Sequence, residues 1–109
     1  MRRGDVVTVA VAGDYGKPRP AVIVQTNAFG EDHGSVVICQ MTSVLSDPVD
    51  FRVNVEPGPG SGLRLRSQVM ADKPVTVRRS RIGATIGQLS VAEVGRLNVA
   101  LAFVLGLAD

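Results

Sequence analysis

The clearest structural signal in the chain is the segment GKPRPAVIVQ, residues 16–25, in which a turn leads directly into an apolar run. The near-continuous apolar character of residues 20–25 is typical of a strand that is buried on both faces. Pro20 has no N–H to donate to a strand ladder, so we place it at the first residue of that strand. The residues before it, from 12 to 18, have the Gly- and Pro-containing composition of a turn.

Further short strands are predicted on both sides of this segment, from apolar or alternating runs bounded by Gly and Pro. They lie at residues 4–11, 35–41, 49–55, 63–66 continuing into 68–71, and 75–77. The period changes near the C-terminus, where Ser90 and Glu93 have the spacing of a capping box and apolar residues recur every three or four positions. We therefore predict a helix over about 91–105, with Gly106 as its stop. Short strands closed by one terminal helix indicate a mainly β protein with the architecture of a small SH3-like barrel.

Length and composition restrict the class of protein. The 109 residues are 45% hydrophobic and 20% charged, as expected for one globular domain spanning residues 1–109. A single Cys excludes an internal disulfide, and together with a single His it excludes a zinc site of the usual ligand count, so we expect no metal and no cofactor. No run approaches the roughly 20 apolar residues that span a bilayer, and charged residues interrupt the N-terminal segment. We expect a cytoplasmic protein without a membrane partner.

Positive charge is concentrated in the second half of the chain. Six basic residues lie between Arg64 and Arg81, and Asp72 is the only acidic residue among them. Such a stretch would attract a polyanion through counterion release, although a solvated basic face would have the same composition. Charge alone leaves both interpretations open.

Residues with conventional catalytic chemistry are few. His33 lies in a polar loop without a second His, Cys or Ser close in sequence, and Cys39 lies within an apolar strand where a buried, inert thiol is expected. The segment Gly16-Lys17-Pro18-Arg19-Pro20 is more informative, because it places two cations at a turn directly before a buried strand. The prolines on either side of Arg19 restrict the backbone and would aim its guanidinium at little entropic cost. If the strands that contain Arg19 and Thr42 are neighbours, these two side chains can meet in one groove. Alternatively, Arg19 pairs with an acid and Thr42-Ser43 closes a turn.

Several motifs, in order along the whole chain, resemble those of the MazF/PemK family of toxins. They are Arg3-Gly4-Asp5-Val6-Val7, the segment 16–24, Met41-Thr42-Ser43, Gln68-Val69, Asp72-Lys73 and Ile82-Gly83 before the final helix. The resemblance implies an SH3-like (CcdB/PemK-like) barrel that forms a homodimer. It also implies an endoribonuclease that cleaves single-stranded RNA without a metal, and an antitoxin whose disordered acidic tail blocks the RNA groove.

The same resemblance implies roles for individual residues. Arg19 would contact the scissile phosphate, and Thr42 would donate a hydrogen bond to it, while a ribose 2′-hydroxyl attacks. Because a guanidinium keeps its proton at neutral pH, we favour electrostatic stabilisation by Arg19 over proton transfer. Residues expected to contact RNA are Tyr15, Lys17, Ser43, Arg64, Arg66, Gln68 and Asp72.

The chain departs from the family pattern at Met70, where some relatives have an Arg as a catalytic partner. Either Arg19 and Thr42 suffice, or Arg64 or Arg66 supplies the second cation. Asp72 has two interpretations, orienting Arg19 or reading a base edge, and a salt bridge to Lys73 or Arg78 is a third.

Two other functions are compatible with the predicted barrel. A gyrase-poisoning toxin would act through a C-terminal tryptophan, and this chain has no Trp. A non-catalytic SH3-like module that binds nucleic acid or peptide is the stronger alternative, and Met70 is its best support.

Overall fold

The computed structural model describes residues 1–10, 17–47 and 50–107, which form six β-strands and one α-helix. The strands pair antiparallel in a single sheet of order β4-β5-β3-β2-β1-β6. In chain order the elements are β1 (Asp5–Ala10), β2 (Pro18–Ile23), β3 (Ser35–Thr42), β4 (Arg52–Val55), β5 (Ser67–Arg78), a 3₁₀ turn (Arg79–Arg81), β6 (Ile82–Gln88) and α1 (Val91–Val104).

The central strands β1, β2 and β3 are buried on both faces, because alternate residues of these strands enter two different hydrophobic clusters. On β1, Val6 enters the cluster that contains Leu97 and Leu101 of α1, whereas Val7 enters the cluster that contains Ile38. The near-continuous apolar runs of the sequence follow from this arrangement, since a strand covered on both sides needs apolar residues at every position. The expected mainly β fold with a terminal helix is confirmed.

The helix begins and ends where its capping signals predict. The Glu93 N–H donates to Ser90 Oγ at 3.1 Å, and the Ser90 N–H donates to Glu93 Oε1 at 2.8 Å, which completes the capping box. Gly106 follows the last turn with φ of +72°, the left-handed region that glycine tolerates. No helix in the described ranges has the length and apolar character that crossing a membrane requires.

The strand predicted at residues 63–66 is wrong, because this segment is a loop and β5 begins only at Ser67. Leu63 is buried but Leu65 is 64% exposed, so the alternating pattern there does not mark one face of a strand. In addition, β5 continues through Pro74, where we predicted a break between two strands. A register shift between Cys39 and Met41 of β3 accommodates the extra residues of β5 as a bulge.

Strand β6 was not predicted, because its sequence IGATIGQ is rich in glycine. These glycines are required by close packing. A Cβ atom at Gly87 would overlap the backbone carbonyl of Ser61, and one at Gly83 would meet Thr8 Oγ1 at 2.5 Å. The loop that follows β4 thus lies directly against β6, and the Gln88 N–H donates to the Gly60 carbonyl at 2.9 Å. This loop covers one edge of the sheet.

Candidate RNA-binding groove

Arg19 and Thr42 lie on neighbouring antiparallel strands. The recorded β2–β3 register pairs Ile23 with Ile38 and Ala21 with Gln40. Arg19 is near the start of β2 and Thr42 is at the end of β3, and in an antiparallel pair the start of one strand lies beside the end of the other. The condition set by the sequence, that these two strands are neighbours, is met.

Both residues line one groove with a volume of about 300 Å³. Its wall combines two cations and three hydroxyls with aliphatic side chains. The lining residues are Arg19, Pro20, Met41, Thr42, Ser43, Val44, Leu63, Arg64, Leu65 and Ser67. Val44 and Leu65 are unusually exposed for aliphatic residues, at 77% and 64%. A surface of this composition suits a ligand that has both an anionic group and an apolar face, as a nucleotide does.

The Thr42 hydroxyl is held in position by the backbone two residues further along the chain. Its Oγ1 accepts a hydrogen bond from the Val44 N–H at 3.1 Å, the arrangement of a Ser/Thr turn. Because a hydroxyl can accept and donate at once, this bond leaves the Thr42 proton available as a donor. The turn therefore fixes the oxygen while leaving its O–H free to reach a ligand.

The structure distinguishes between the two arginines of the 63–66 segment. Arg66 makes two contacts with Glu56, from Nε to Oε2 at 3.1 Å and from Nη2 to Oε1 at 2.9 Å, and it does not line the groove. Arg64 lines the groove, and none of the hydrogen bonds or ion pairs among the described residues involves it. Of the two, Arg64 is the cation placed to meet an anion beside Arg19.

Gln68 stands opposite Thr42 in the β3–β5 register, is only 3% exposed and is not among the residues that line the groove. Its Oε1 accepts from the Ser46 N–H at 3.0 Å and from Arg52 Nη1 at 3.1 Å, and its Nε2 donates to the Ser46 carbonyl at 3.1 Å and to Asn54 Oδ1 at 2.9 Å. These four bonds use both donors and both acceptor positions of the amide. In this conformation Gln68 has no group left for a ligand, which differs from the direct RNA contact expected from the sequence.

The remaining predicted RNA-contacting residues are distributed around the groove. Ser43 lines it, whereas Lys17 is exposed just before β2 and is not among the lining residues. Asp72 is also outside the lining, and its Oδ2 accepts from Lys73 Nζ at 2.7 Å, which is the salt bridge considered as an alternative above. Tyr15 falls outside the described residues.

One residue that the sequence analysis missed is Arg52 of β4. It stands directly opposite Met70 in the β4–β5 register, and its Nη1 reaches the Val44 carbonyl at 3.5 Å as well as Gln68. The only sequence signal for Arg52 is the alternation of residues 52–55. This pattern predicts which face of the strand Arg52 is on, but not that its side chain contacts Gln68.

His33 and Cys39, the two conventional catalytic residue types considered in the sequence, are not among the residues that line the groove. His33 stacks on Phe29, with ring centroids 4.5 Å apart. Cys39 is fully buried, and burial raises the pKa of its thiol from 9.0 to about 11, with a further increase from nearby Asp72 and a small opposing effect of Arg3. A buried thiol of this kind is unreactive at neutral pH. Within the described ranges, no group of three or more His, Cys, Asp or Glu side chains could hold a metal ion.

The fold and the groove together define a small β-rich protein with a cationic, hydroxyl-bearing surface. Residues 2–105 match the model of the PemK-like, MazF-like toxins of type II toxin–antitoxin systems. Over 109 residues the chain is 39% identical to a protein of Mycolicibacterium smegmatis named probable endoribonuclease MazF, and the match covers 99% of each. The chain belongs to the PemK-like, MazF-like toxin family.

Solved structures show the same fold. A mycobacterial endoribonuclease in complex with its cognate antitoxin is 27% identical and superposes with a TM-score of 0.82, covering 98% of this chain and 96% of that one. The Mycobacterium tuberculosis toxin MazF-mt6 is 20% identical, with a TM-score of 0.80 and coverage of 94% and 96%. MazF in a MazE–MazF complex of Deinococcus radiodurans is 20% identical, with a TM-score of 0.77 and coverage of 98% and 97%.

Proposed function

We propose that this chain is a toxin endoribonuclease that cleaves single-stranded RNA at specific sequences without a metal ion. The observation that carries the proposal is the placement of Arg19 and Thr42 on the wall of one groove. The 39% identical relative named as a probable endoribonuclease supports the same activity.

The proposed reaction is an internal transesterification. The ribose 2′-oxygen attacks the adjacent phosphorus and loses its proton, while the bond from phosphorus to the 5′-oxygen breaks and that oxygen gains a proton. The products are a 2′,3′-cyclic phosphate and a free 5′-hydroxyl, and no water is consumed. Because the substrate supplies the nucleophile, the protein needs to orient it and to stabilise charge, and neither task requires a reactive side chain.

The residues of the groove divide these tasks. The Arg19 guanidinium can donate two parallel hydrogen bonds to phosphate oxygens and keeps its charge as negative charge develops on them. The Thr42 O–H donates to the same phosphate, from an oxygen whose position is fixed by the Val44 N–H. Arg64, which lines the same groove, supplies the second cation. The aliphatic side chains of Val44 and Leu65 are available to the bases next to that phosphate.

A direct test incubates the purified protein with a long unstructured RNA in EDTA and maps the new 5′ ends by sequencing. We expect cleavage at a recurrent short sequence with 5′-hydroxyl ends, and an Arg19→Ala variant that is folded but inactive. Binding without cleavage would support the non-catalytic module instead. Ends that carry a 5′-phosphate, or cleavage that stops in EDTA, would contradict the proposed chemistry.

The family also leads us to propose a cytoplasmic homodimer that is neutralised by an antitoxin with an acidic, disordered tail. Exposed apolar residues on and after α1 offer surface for such contacts: Val91 at 92%, Val99 at 73%, Phe103 at 53%, Leu105 at 56% and Leu107 at 76%. Light scattering at micromolar concentration should give twice the chain mass. Expression without the antitoxin should arrest growth, and a monomer or unimpaired growth would refute the corresponding part.

A further inference from the structure

The loop that follows Thr42 is attached to the sheet through the side chain of one residue of β5. We define the groove loop as residues 43–46, of which Ser43 and Val44 line the groove. Gln68 stands directly opposite Thr42 in the β3–β5 register. Its amide both accepts from the N–H of Ser46 and donates to the carbonyl of Ser46, at 3.0 and 3.1 Å.

In a strand ladder, the N–H and the carbonyl of Ser46 would bond to the backbone of a residue on the neighbouring strand. Here the side-chain amide of Gln68 makes both bonds. The groove loop has left the ladder, so the Gln68 side chain replaces a backbone partner and closes the loop against the sheet. Since the amide is only 3% exposed, water competes poorly for either bond. One residue thus fixes the far end of the loop whose near end is Thr42.

Arg52 reinforces the attachment from β4. Its Nη1 donates to Gln68 Oε1 at 3.1 Å and reaches the Val44 carbonyl at 3.5 Å, so one guanidinium contacts both the clamping amide and the loop. A charged donor on the amide oxygen strengthens the hydrogen bonds that the same amide donates. Arg52 and Gln68 therefore act on the loop together.

We propose that Gln68, supported by Arg52, is a positioning residue of the RNA-cleaving site, and that it acts by holding the groove loop so that the Thr42 O–H points at the scissile phosphate. This inference rests on the function proposed above and specifies which buried side chain sets the geometry of that site. The Val44 N–H, which orients Thr42 Oγ1, belongs to the loop that Gln68 attaches. Misplacement of such a donor by about 1 Å can cost on the order of 100-fold in rate.

The first test replaces Gln68 by Leu, which keeps a similar side-chain volume and removes all four hydrogen bonds. Gln68→Glu is the second variant, because it keeps the acceptor for Ser46 and Arg52 and replaces the two donors by an anionic oxygen that faces the Ser46 carbonyl and Asn54 Oδ1. We expect each variant to lower kcat about 10-fold to 100-fold with KM changed less than about threefold. Asn54→Ala is the matched control: it breaks one bond of the same amide on the side away from the loop, and it should change kcat less than about threefold.

A double-mutant cycle with Thr42→Val shows whether Gln68 acts through Thr42. Once the Thr42 O–H is absent, loosening the loop should cost no further activity, so the losses should not multiply. Multiplying losses, or an effect confined to KM, would overturn the proposal. Either Gln68 variant is informative provided that its circular dichroism and melting curve remain those of a folded protein.

Hydrogen exchange provides a readout that does not depend on RNA cleavage. Exchange of the Ser46 amide should accelerate in Gln68→Leu and stay slow in Asn54→Ala. Unchanged exchange at Ser46 in Gln68→Leu would disprove the attachment of the groove loop by Gln68, even if the enzyme is active. If Ser46 exchange accelerates in Gln68→Leu but the wild-type protein does not cleave RNA, the attachment of the loop by Gln68 is confirmed and the proposed function is refuted. Failure of the loop attachment and failure of the proposed function can therefore be told apart.

Discussion

Arg19 of β2 and Thr42 of β3 lie on neighbouring antiparallel strands and line a single groove of about 300 Å³. The hydrogen bond from the Val44 N–H fixes the Thr42 oxygen, and the two prolines around Arg19 restrict its backbone. These two restraints act on residues of one groove, and such preorganisation is the condition for electrostatic stabilisation of a transition state.

Thr42→Val should remove the donor to the phosphate while retaining the shape of the side chain. We expect kcat to fall about 100-fold, the usual effect of deleting one oxyanion donor. Thr42→Ser keeps both the O–H and the acceptor for the Val44 N–H, so it should stay within about tenfold of wild type. Single-turnover cleavage of a short labelled RNA measures both, and a Thr42→Val enzyme within twofold of wild type would contradict the role.

Arg64→Ala should weaken RNA binding more than Arg66→Ala does, although the two residues are only two positions apart. Arg66 already pairs with Glu56 and would have to leave that partner, whereas Arg64 faces the groove. Titration with an RNA made non-cleavable by 2′-deoxy substitution at the scissile position measures affinity alone. Losing one phosphate contact should reduce the slope of log K against log salt by about 0.7. Equal effects of both variants would show that the groove does not discriminate between the arginines.

Gly87→Ala and Gly95→Ala should change stability in opposite directions. A Cβ atom at Gly87 would overlap the Ser61 carbonyl, so the loop must move away from β6, and we expect a loss of about 1–3 kcal/mol. Gly95 lies within α1 with no atom in the way, so alanine there should stabilise the protein by about 0.5–1 kcal/mol. Urea unfolding midpoints measure both changes, and a stable Gly87→Ala protein would mean that the loop is not packed against β6.

Stability should depend on Cys39 at alkaline pH. The pKa of its thiol rises from 9.0 to about 11 because folding buries it. Below pH 9 both states hold the proton and the contribution is constant; between pH 9 and 11 the unfolded chain releases the proton first, so the free energy of unfolding falls. Comparing wild type with Cys39→Ala across this range isolates the effect from other titrating groups. A difference between the two proteins that does not vary with pH would contradict the burial of the thiol.

The amino-acid sequence by itself determined those features that depend on neighbouring residues. The apolar runs of the inner strands, the capping box at Ser90 and Glu93, and the restrained position of Arg19 all follow from local pattern and local chemistry. That Arg19 and Thr42 could share a groove required only one further condition, the pairing of β2 with β3.

Tertiary structure alone decided which residues of the second half complete the groove. The burial of Gln68, the pairing of Arg66 with Glu56 and the position of Arg52 opposite Met70 depend on contacts between segments far apart in the chain. The same holds for β6. Another backbone packs directly against Gly87, and the glycine that this packing requires weakens the apolar pattern by which a strand is predicted from sequence. Hydrogen-bond partners and close backbone approaches have no period along the sequence, so they become visible only when the sheet has closed.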